Sequence, residues 1–300
     1  MSNEHNIKTV GVIGAGQMGG GIAQVSALAG FSTVVFDSFP KSLEKCKADH
    51  EKRLARDVEK GKLTAEAKAA ALGRLQYVSQ FPDPFASCDI VIEAVVEDAA
   101  IKRDMFKTLA EMFAKIPGRQ ILASNTSSIS ITEIAAACRG IKGDHVEATG
   151  QVIGMHFFNP VPIMKLVEVI KGLSTTPETT QRVIALAKVM GKEPLAANDR
   201  PGFVSNRVLM PMINEAFYAL MEGVAGPEEI DGIMKLGCNF PMGPLNLADF
   251  IGLDTCVHIM NVLADGLNND RYRACPLLKQ YVTAGRLGVK SGQGVFMYNK

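Results

Sequence analysis

Gly11-Val-Ile-Gly14-Ala-Gly16-Gln-Met-Gly19 constrains this chain more than any other stretch. A β-type run, Thr9–Ile13, leads into it, and a helix of small residues, Met18–Leu28, leads out. Gly-x-Gly-x-x-Gly alone is a weak signal. Between a strand and a helix it marks the loop on which an open, parallel α/β sheet holds a dinucleotide. Gly14 makes the tight turn, Gly16 lets the backbone approach a pyrophosphate that meets the helix N-terminal amides, and Gly19 lets the helix pack closely on the strand. Gln17 and Met18 open the helix and complete this set of candidate cofactor contacts. Asp37 ends the next β run, Thr33–Phe36, eighteen positions after Gly19. A carboxylate there accepts hydrogen bonds from the adenosine ribose hydroxyls and repels a 2′-phosphate. No arginine follows it directly, so NAD is favoured over NADP.

The first two thirds of the chain alternate short β runs with helical runs. After Thr33–Phe36 comes a long charged helix, roughly Lys41–Lys60, and further strands fit Ile90–Glu93, Gln120–Ala123 and Val152–Phe157. Such alternation predicts an α/β fold of Rossmann type, a doubly wound and mostly parallel sheet. Ser130-x-x-Glu133 reads as a capping box opening a helix through Cys138. Thr176-Pro177-Glu178 opens another helix, with Gly191 as its stop. The pattern changes near Asn198-Asp-Arg-Pro-Gly202. Beyond it, helical runs near Asn206–Glu222, Glu228–Leu236, Thr255–Ala264 and Pro276–Ala284 are separated by Gly and Pro turns. Pro211 falls inside the first of these and is expected to kink it. Residues 1–197 are therefore expected to form the dinucleotide-binding domain, and 198–300 a second, all-helical C-terminal domain, to which the resemblance named below gives substrate binding and dimerisation.

Composition excludes several classes of function. A net charge of +1 supplies no field for nucleic acid or an anionic membrane surface, and the few aromatics are not interleaved with basic patches. Thr9–Phe36 carries no charge, but its glycines and its Gln, Ser and Thr argue against a membrane span. Cys46, Cys88, Cys138, Cys238, Cys256 and Cys275 form no Cys-x-x-Cys pair and no metal-ligand spacing with His, so they read as reduced thiols and no metal is expected. Neither Met-Ser-Asn-Glu-His at the start nor Tyr298-Asn-Lys300 at the end resembles a targeting signal, which predicts a cytoplasmic protein.

Chemistry concentrates in Gly154-Met-His156-Phe-Phe-Asn159-Pro160-Val-Pro-Ile-Met-Lys165-Leu-Val-Glu168-Val-Ile170. A histidine and a carboxylate lie twelve positions apart among apolar residues, where polar groups are costly unless they pair. For a lone histidine, a satisfied place in the core is the ordinary reading. His156 departs from it because it follows the dinucleotide motif, has Glu168 as an available partner, and has Ser127 and Asn159 near strand ends, where open α/β sheets place ligands. A His held by a carboxylate is a proton-transfer device, so proton transfer coupled to hydride transfer is the expected chemistry.

These residues, with Ser124-Asn-Thr-Ser127-Ser128, His156-Phe-Phe-Asn159-Pro160, Pro201-Gly-Phe-Val-Ser-Asn206-Arg207, Pro241-Met-Gly-Pro244 and Gly288-Val-Lys290-Ser-Gly292, make the whole chain resemble the (S)-3-hydroxyacyl-CoA dehydrogenases, most closely the short-chain 3-hydroxybutyryl-CoA type. The resemblance implies that His156 is the general acid/base at the 3-hydroxyl, oriented by Glu168. It implies that Ser127 and Asn206 bind and position the substrate oxygens, that Glu97, Lys102, Asn159 and Lys290 contact NAD, and that Lys60 contacts coenzyme A. Arg53 stands where related enzymes can place a serine touching coenzyme A; an arginine there suits a phosphate. Apart from the resemblance, Glu97 and Lys102 read equally as solvated charges, as do the mixed charges of the long helix. Residues 139–150 lengthen the connection from Ser127 to His156 beyond what is common in the family. They are expected to form a surface loop, with His145 exposed and no assigned role.

The acyl-CoA thioester is thus the expected substrate partner, with neither nucleic acid nor membrane, and a homodimer is implied by the resemblance. From the length, no appended hydratase domain is expected. Two alternatives compete: an NAD-dependent sugar-acid dehydrogenase of the L-gulonate 3-dehydrogenase type, which shares the fold and the His–Glu pair, and a non-catalytic NAD-binding protein. The intact set His156, Glu168, Ser127 and Asn206 argues against the second.

Overall fold

The structure, a computed structural model, describes residues 6–118, 120–143 and 146–298. Met1–His5, part of Tyr298-Asn-Lys300 and His145 lie outside the described residues. The chain divides after Asp199 into two compact units.

In the first unit the order is β1 (Thr9–Ile13), α1 (Gln17–Leu28), β2 (Ser32–Phe36), α2 (Pro40–Glu59), α3 (Ala65–Gly73), β3 (Leu75–Val78), β4 (Ile90–Glu93), α4 (Ala99–Phe113), β5 (Ile121–Ser124) and α5 (Ile131–Ala136). A short hairpin follows, β6 (Lys142–Gly143) and β7 (Val146–Glu147), then β8 (Val152–Phe157), β9 (Leu166–Lys171), α6 (Pro177–Val189) and β10 (Glu193–Asn198). Eight strands form one sheet in the order β10-β9-β8-β5-β4-β1-β2-β3. Its neighbours pair in parallel except β8 and β9, which are antiparallel. The sheet is therefore mostly parallel, and its central strands are buried runs such as Ile90–Glu93 and Val152–Phe157. Burial on both faces is what a sheet covered by helices on each side requires.

The helices follow their caps. Asp98 accepts the Ala100 and Ile101 amides to open α4, and Thr176 accepts the Thr179 amide to open α6. Ser130 accepts the Glu133 amide at the start of α5, but the Glu133 carboxylate forms an ion pair with Arg103 on α4 at 2.8 Å, and α5 ends at Ala136. The charged helix α2 turns Leu43, Cys46, His50 and Leu54 inward at helical spacing and leaves its charges outward. His50 is fully buried between Tyr77 Oη at 2.6 Å and the Gly20 carbonyl at 2.7 Å, so it ties α2 to both β3 and the cofactor helix α1. Burial lowers its pKa. The 139–150 segment carries the β6–β7 pair, with Ala148 and Gly150 buried.

The second unit is helical among its described residues: α7 (Ser205–Met221), α8 (Pro227–Gly237), α9 (Pro244–Ile251), α10 (Leu253–Leu267) and α11 (Pro276–Thr283). α7 is assigned as one helix through Pro211. These helices share a core of Met210, Phe217, Leu245, Met260, Leu263 and Leu278. Two buried carboxylates staple it. Asp231 accepts the Leu245 and Asn246 amides at the start of α9, and Asp249 accepts the Val295 and Phe296 amides and the Tyr298 hydroxyl. No single described helix is long and apolar enough to cross a membrane.

Candidate active site

The β1–α1 loop has the geometry of an anion cradle. Gly14 adopts φ +99°, and a Cβ there would press on the Ala94 carbonyl. A Cβ on Gly19 would strike the Gly14 carbonyl, whereas one on Gly16 would meet open space. The backbone is therefore bare on the side where a pyrophosphate would approach the first turn of α1. At the end of β2, Asp37 is fixed by the loop itself: Oδ2 accepts the Ala15 amide at 2.8 Å and Oδ1 accepts the Phe39 amide at 2.9 Å. Each carboxylate oxygen keeps a further lone pair for a ribose hydroxyl. The loop and acid fit NAD.

The antiparallel β8–β9 pair places His156 directly opposite Glu168. Opposed residues project from the same face, so a separation of twelve residues becomes side-chain contact. His156 Nδ1 lies 2.8 Å from Glu168 Oε2, and both residues are buried. A carboxylate is an acceptor only, so Nδ1 carries the proton and Nε2 is left with its lone pair. The Phe158 ring, 4.7 Å from the imidazole, lies against it. Phe157 is tied to the end of β5 through its amide, which Asn125 Oδ1 accepts at 2.8 Å.

Glu97 sets the loop after β5. Its Oε1 accepts from the Thr126 hydroxyl at 2.6 Å, from the Ser127 amide at 2.9 Å and hydroxyl at 3.2 Å, and from the Ser128 amide at 3.0 Å and hydroxyl at 2.8 Å. Burial pushes its carboxyl pKa up. The Lys102 ammonium at 3.3 Å and the bonds from Thr126, Ser128 and the Ser127 amide outweigh that, so the net shift is downward. Lys102 lies beneath the loop rather than on its surface: it is 1% exposed and its Nζ also donates to Glu93 Oε1 at 2.6 Å. Glu93, fully buried at the end of β4, accepts in addition the Ser124 hydroxyl and the Val95 amide. A chain of charge-assisted bonds thus runs from β4 to Ser127.

A cleft of about 500 Å³ opens between α1, α2 and the β8–β9 connection, bordered by Arg53, Arg56, Lys60 and Lys62 on one side and Asn159 to Ile163 on the other. Gln17 Nε2 donates to Asn159 Oδ1 at 2.8 Å, joining the cofactor loop to that connection. Lys192 fastens the same connection from below. This buried ammonium donates to the carbonyls of Val161 and Met164, and burial lowers its pKa.

Comparison with known proteins decides the family. Residues 9–200 match the model for the NAD binding domain of 3-hydroxyacyl-CoA dehydrogenase, and residues 202–298 match that for its C-terminal domain. A protein of Deinococcus radiodurans named "Probable 3-hydroxybutyryl-CoA dehydrogenase" is 56% identical over 96% of this chain and 99% of its own length. The 3-hydroxybutyryl-CoA dehydrogenase of Bradyrhizobium diazoefficiens is 49% identical over 97% and 96%. The crystal structure of (S)-3-hydroxybutyryl-CoA dehydrogenase from Ralstonia eutropha superposes with a TM-score of 0.91 at 46% identity, covering 98% of this chain and all of that one. The chain belongs to the 3-hydroxyacyl-CoA dehydrogenase family. It is an NAD-dependent oxidoreductase.

In this dehydrogenase the first unit holds the candidate cofactor residues Gly14, Gly16, Gln17, Gly19 and Asp37, the pair His156–Glu168, the Glu97–Ser127 loop, and Arg53 and Lys60 on the cleft. Met18, beside the glycines, packs partly against the central core. Asn206 and Lys290 belong to the second unit. Asn206 is buried in the first turn of α7, and Lys290 forms an ion pair with Asp254 at 2.6 Å. Sequence reading overlooked Glu93, Asn125, Thr126 and Lys192. For Glu93 a signal was present, since an acid closing the apolar run Asp89-Ile-Val-Ile-Glu93 has to find a buried partner.

Proposed function

We propose that His156 and Glu168 carry the proton in the interconversion of short (S)-3-hydroxyacyl-CoA and 3-oxoacyl-CoA. The observation that carries the reading is the buried contact of 2.8 Å between His156 Nδ1 and Glu168, which puts the acceptor lone pair on Nε2. In the oxidising direction Nε2 takes the 3-hydroxyl proton, and Glu168 stabilises the imidazolium that results. In reverse the imidazolium returns the proton to the carbonyl oxygen. NAD, when bound, supplies the acceptor for the hydride that leaves C3. Ser127, held by Glu97, positions the reacting oxygen. Asn206 carries the same role, and Asn159 and Lys290 their cofactor contacts, from the family resemblance.

The basic cleft supports a coenzyme A thioester over a sugar acid. Arg53, Arg56, Lys60 and Lys62 around one cavity suit a ligand with several phosphates, and Asp57 is the acid among its lining residues. Assayed with NADH, acetoacetyl-CoA is expected to be reduced readily, while L-gulonate with NAD gives no comparable rate. Equal or better turnover of L-gulonate would replace this reading with the sugar-acid one.

A homodimer built on the second unit completes the proposal. Val204, Val208, Ile233, Leu236 and Phe250 are exposed there, with Leu236 at 90%. Exposed apolar side chains on α7, α8 and α9 support burial against a second copy. Light scattering at micromolar concentration is expected to give twice the chain mass; a monomer would contradict it.

A further inference from the structure

Gln24 is a polar residue to which none of the roles above gives a reason. It lies on α1, two turns beyond Gln17, and is 2% exposed. Among the described residues its Oε1 has no hydrogen-bond partner. Asp254 Oδ1, the other buried oxygen lacking a hydrogen bond there, is paired with Lys290 Nζ at 2.6 Å. A buried orphan acceptor costs stability, so its persistence calls for a donor that arrives with a ligand.

The place of Gln24 indicates which donor. It borders the basic cleft, and Gly21, one turn before it, lets α1 sit closely against Val161 of the facing wall. A Cβ on Gly21 would press on Val161 at 2.8 Å. Opposite stand the apolar side chains of Val161, Pro162 and Ile163. The phosphates of an acyl-CoA belong with Arg53, Arg56, Lys60 and Lys62, and a carbonyl-type oxygen would repel them. The thioester's flexible arm combines an apolar backbone with two secondary amide N–H donors, which matches one apolar wall facing one unmet acceptor.

We infer that Gln24 Oε1 accepts a hydrogen bond from an amide N–H of the pantetheine arm of the acyl-CoA substrate. The inference rests on the thioester reading given above. Gln24→Met keeps the volume and removes the acceptor. It is expected to raise KM for acetoacetyl-CoA about tenfold. Because the contact is equal in ground and transition states, kcat stays within about twofold, and NADH affinity is unchanged. The melting temperature does not fall, because the orphan oxygen is gone from the free enzyme. The same KM penalty persists with acetoacetyl-pantetheine, which lacks the nucleotide. Gln24→Asn, which withdraws the amide by one methylene, gives the same rise in KM with kcat and NADH affinity held, and serves if the methionine variant fails to fold. An unchanged KM in the folded variants overturns the inference. So does a penalty that vanishes with acetoacetyl-pantetheine, or a loss of NADH affinity accompanied by a lower melting temperature. A wild-type enzyme inert towards every thioester would instead overturn the underlying reading.

Discussion

Replacing Glu168 by glutamine is expected to lower kcat by about 10²–10⁴-fold while the protein folds and binds NADH as before. The substitution keeps side-chain volume at a site that is 4% exposed, so packing on β9 is preserved. What changes is the hydrogen-bond polarity at His156 Nδ1. The carboxylate can only accept, which holds the proton on Nδ1 and puts the lone pair on Nε2. A carboxamide can also donate to Nδ1, and the imidazole then carries its proton on Nε2, where it blocks acceptance of the substrate's proton. Even with the amide turned the other way, no negative charge remains to stabilise the imidazolium. Steady-state kinetics in both directions, with fluorescence titration of NADH and a thermal melt, separate this from misfolding. A folded Glu168→Gln enzyme with wild-type kcat would remove Glu168 from the mechanism.

Much of the site was legible because it is local. The glycines of the β1–α1 loop and Asp37 are read from spacing along one strand–loop–helix–strand unit, and the structure adds the Asp37 bonds to the Ala15 and Phe39 amides. The His156–Glu168 pair was legible as two buried polar residues needing each other. Its geometry was not, because β9 escaped notice: Glu168 interrupts its apolar run, and the antiparallel return that places it opposite His156 is a tertiary fact. β10 was missed for a related reason. Pro194 and its exposed Glu193 and Leu195 disguise an edge strand, a position in a sheet where proline is tolerated. Without the resemblance nothing separated Glu97 and Lys102 from surface charges, because their partners, Glu93 and the Ser127 loop, come from other strands. Lys192 gave no signal, since its partners are backbone carbonyls on a loop. In the helical unit the Gly and Pro turns were enough to separate four of the helices. α9 was too short to stand out, and it depends on Asp231 to satisfy its first amides.

His156→Gln is expected to have an effect at least as large, because it removes the group that holds the proton rather than the one that orients it. Glutamine can keep a hydrogen bond towards Glu168 and fill much of the space beside Phe158, so β8 and its bond to Asn125 survive. It cannot take up a proton at neutral pH. The cradle of Gly14, Gly16 and Gly19 and the Asp37 carboxylate are untouched, so cofactor binding is preserved. Binding and positioning by Ser127 also remain, and they leave a small residual rate. The deciding measurement is single-turnover oxidation of bound NADH by saturating acetoacetyl-CoA, followed by absorbance in wild type and His156→Gln. The predicted result is a rate lower by about 10²–10⁴-fold with the NADH dissociation constant unchanged. A His156→Gln enzyme that oxidises NADH at the wild-type rate would contradict the account.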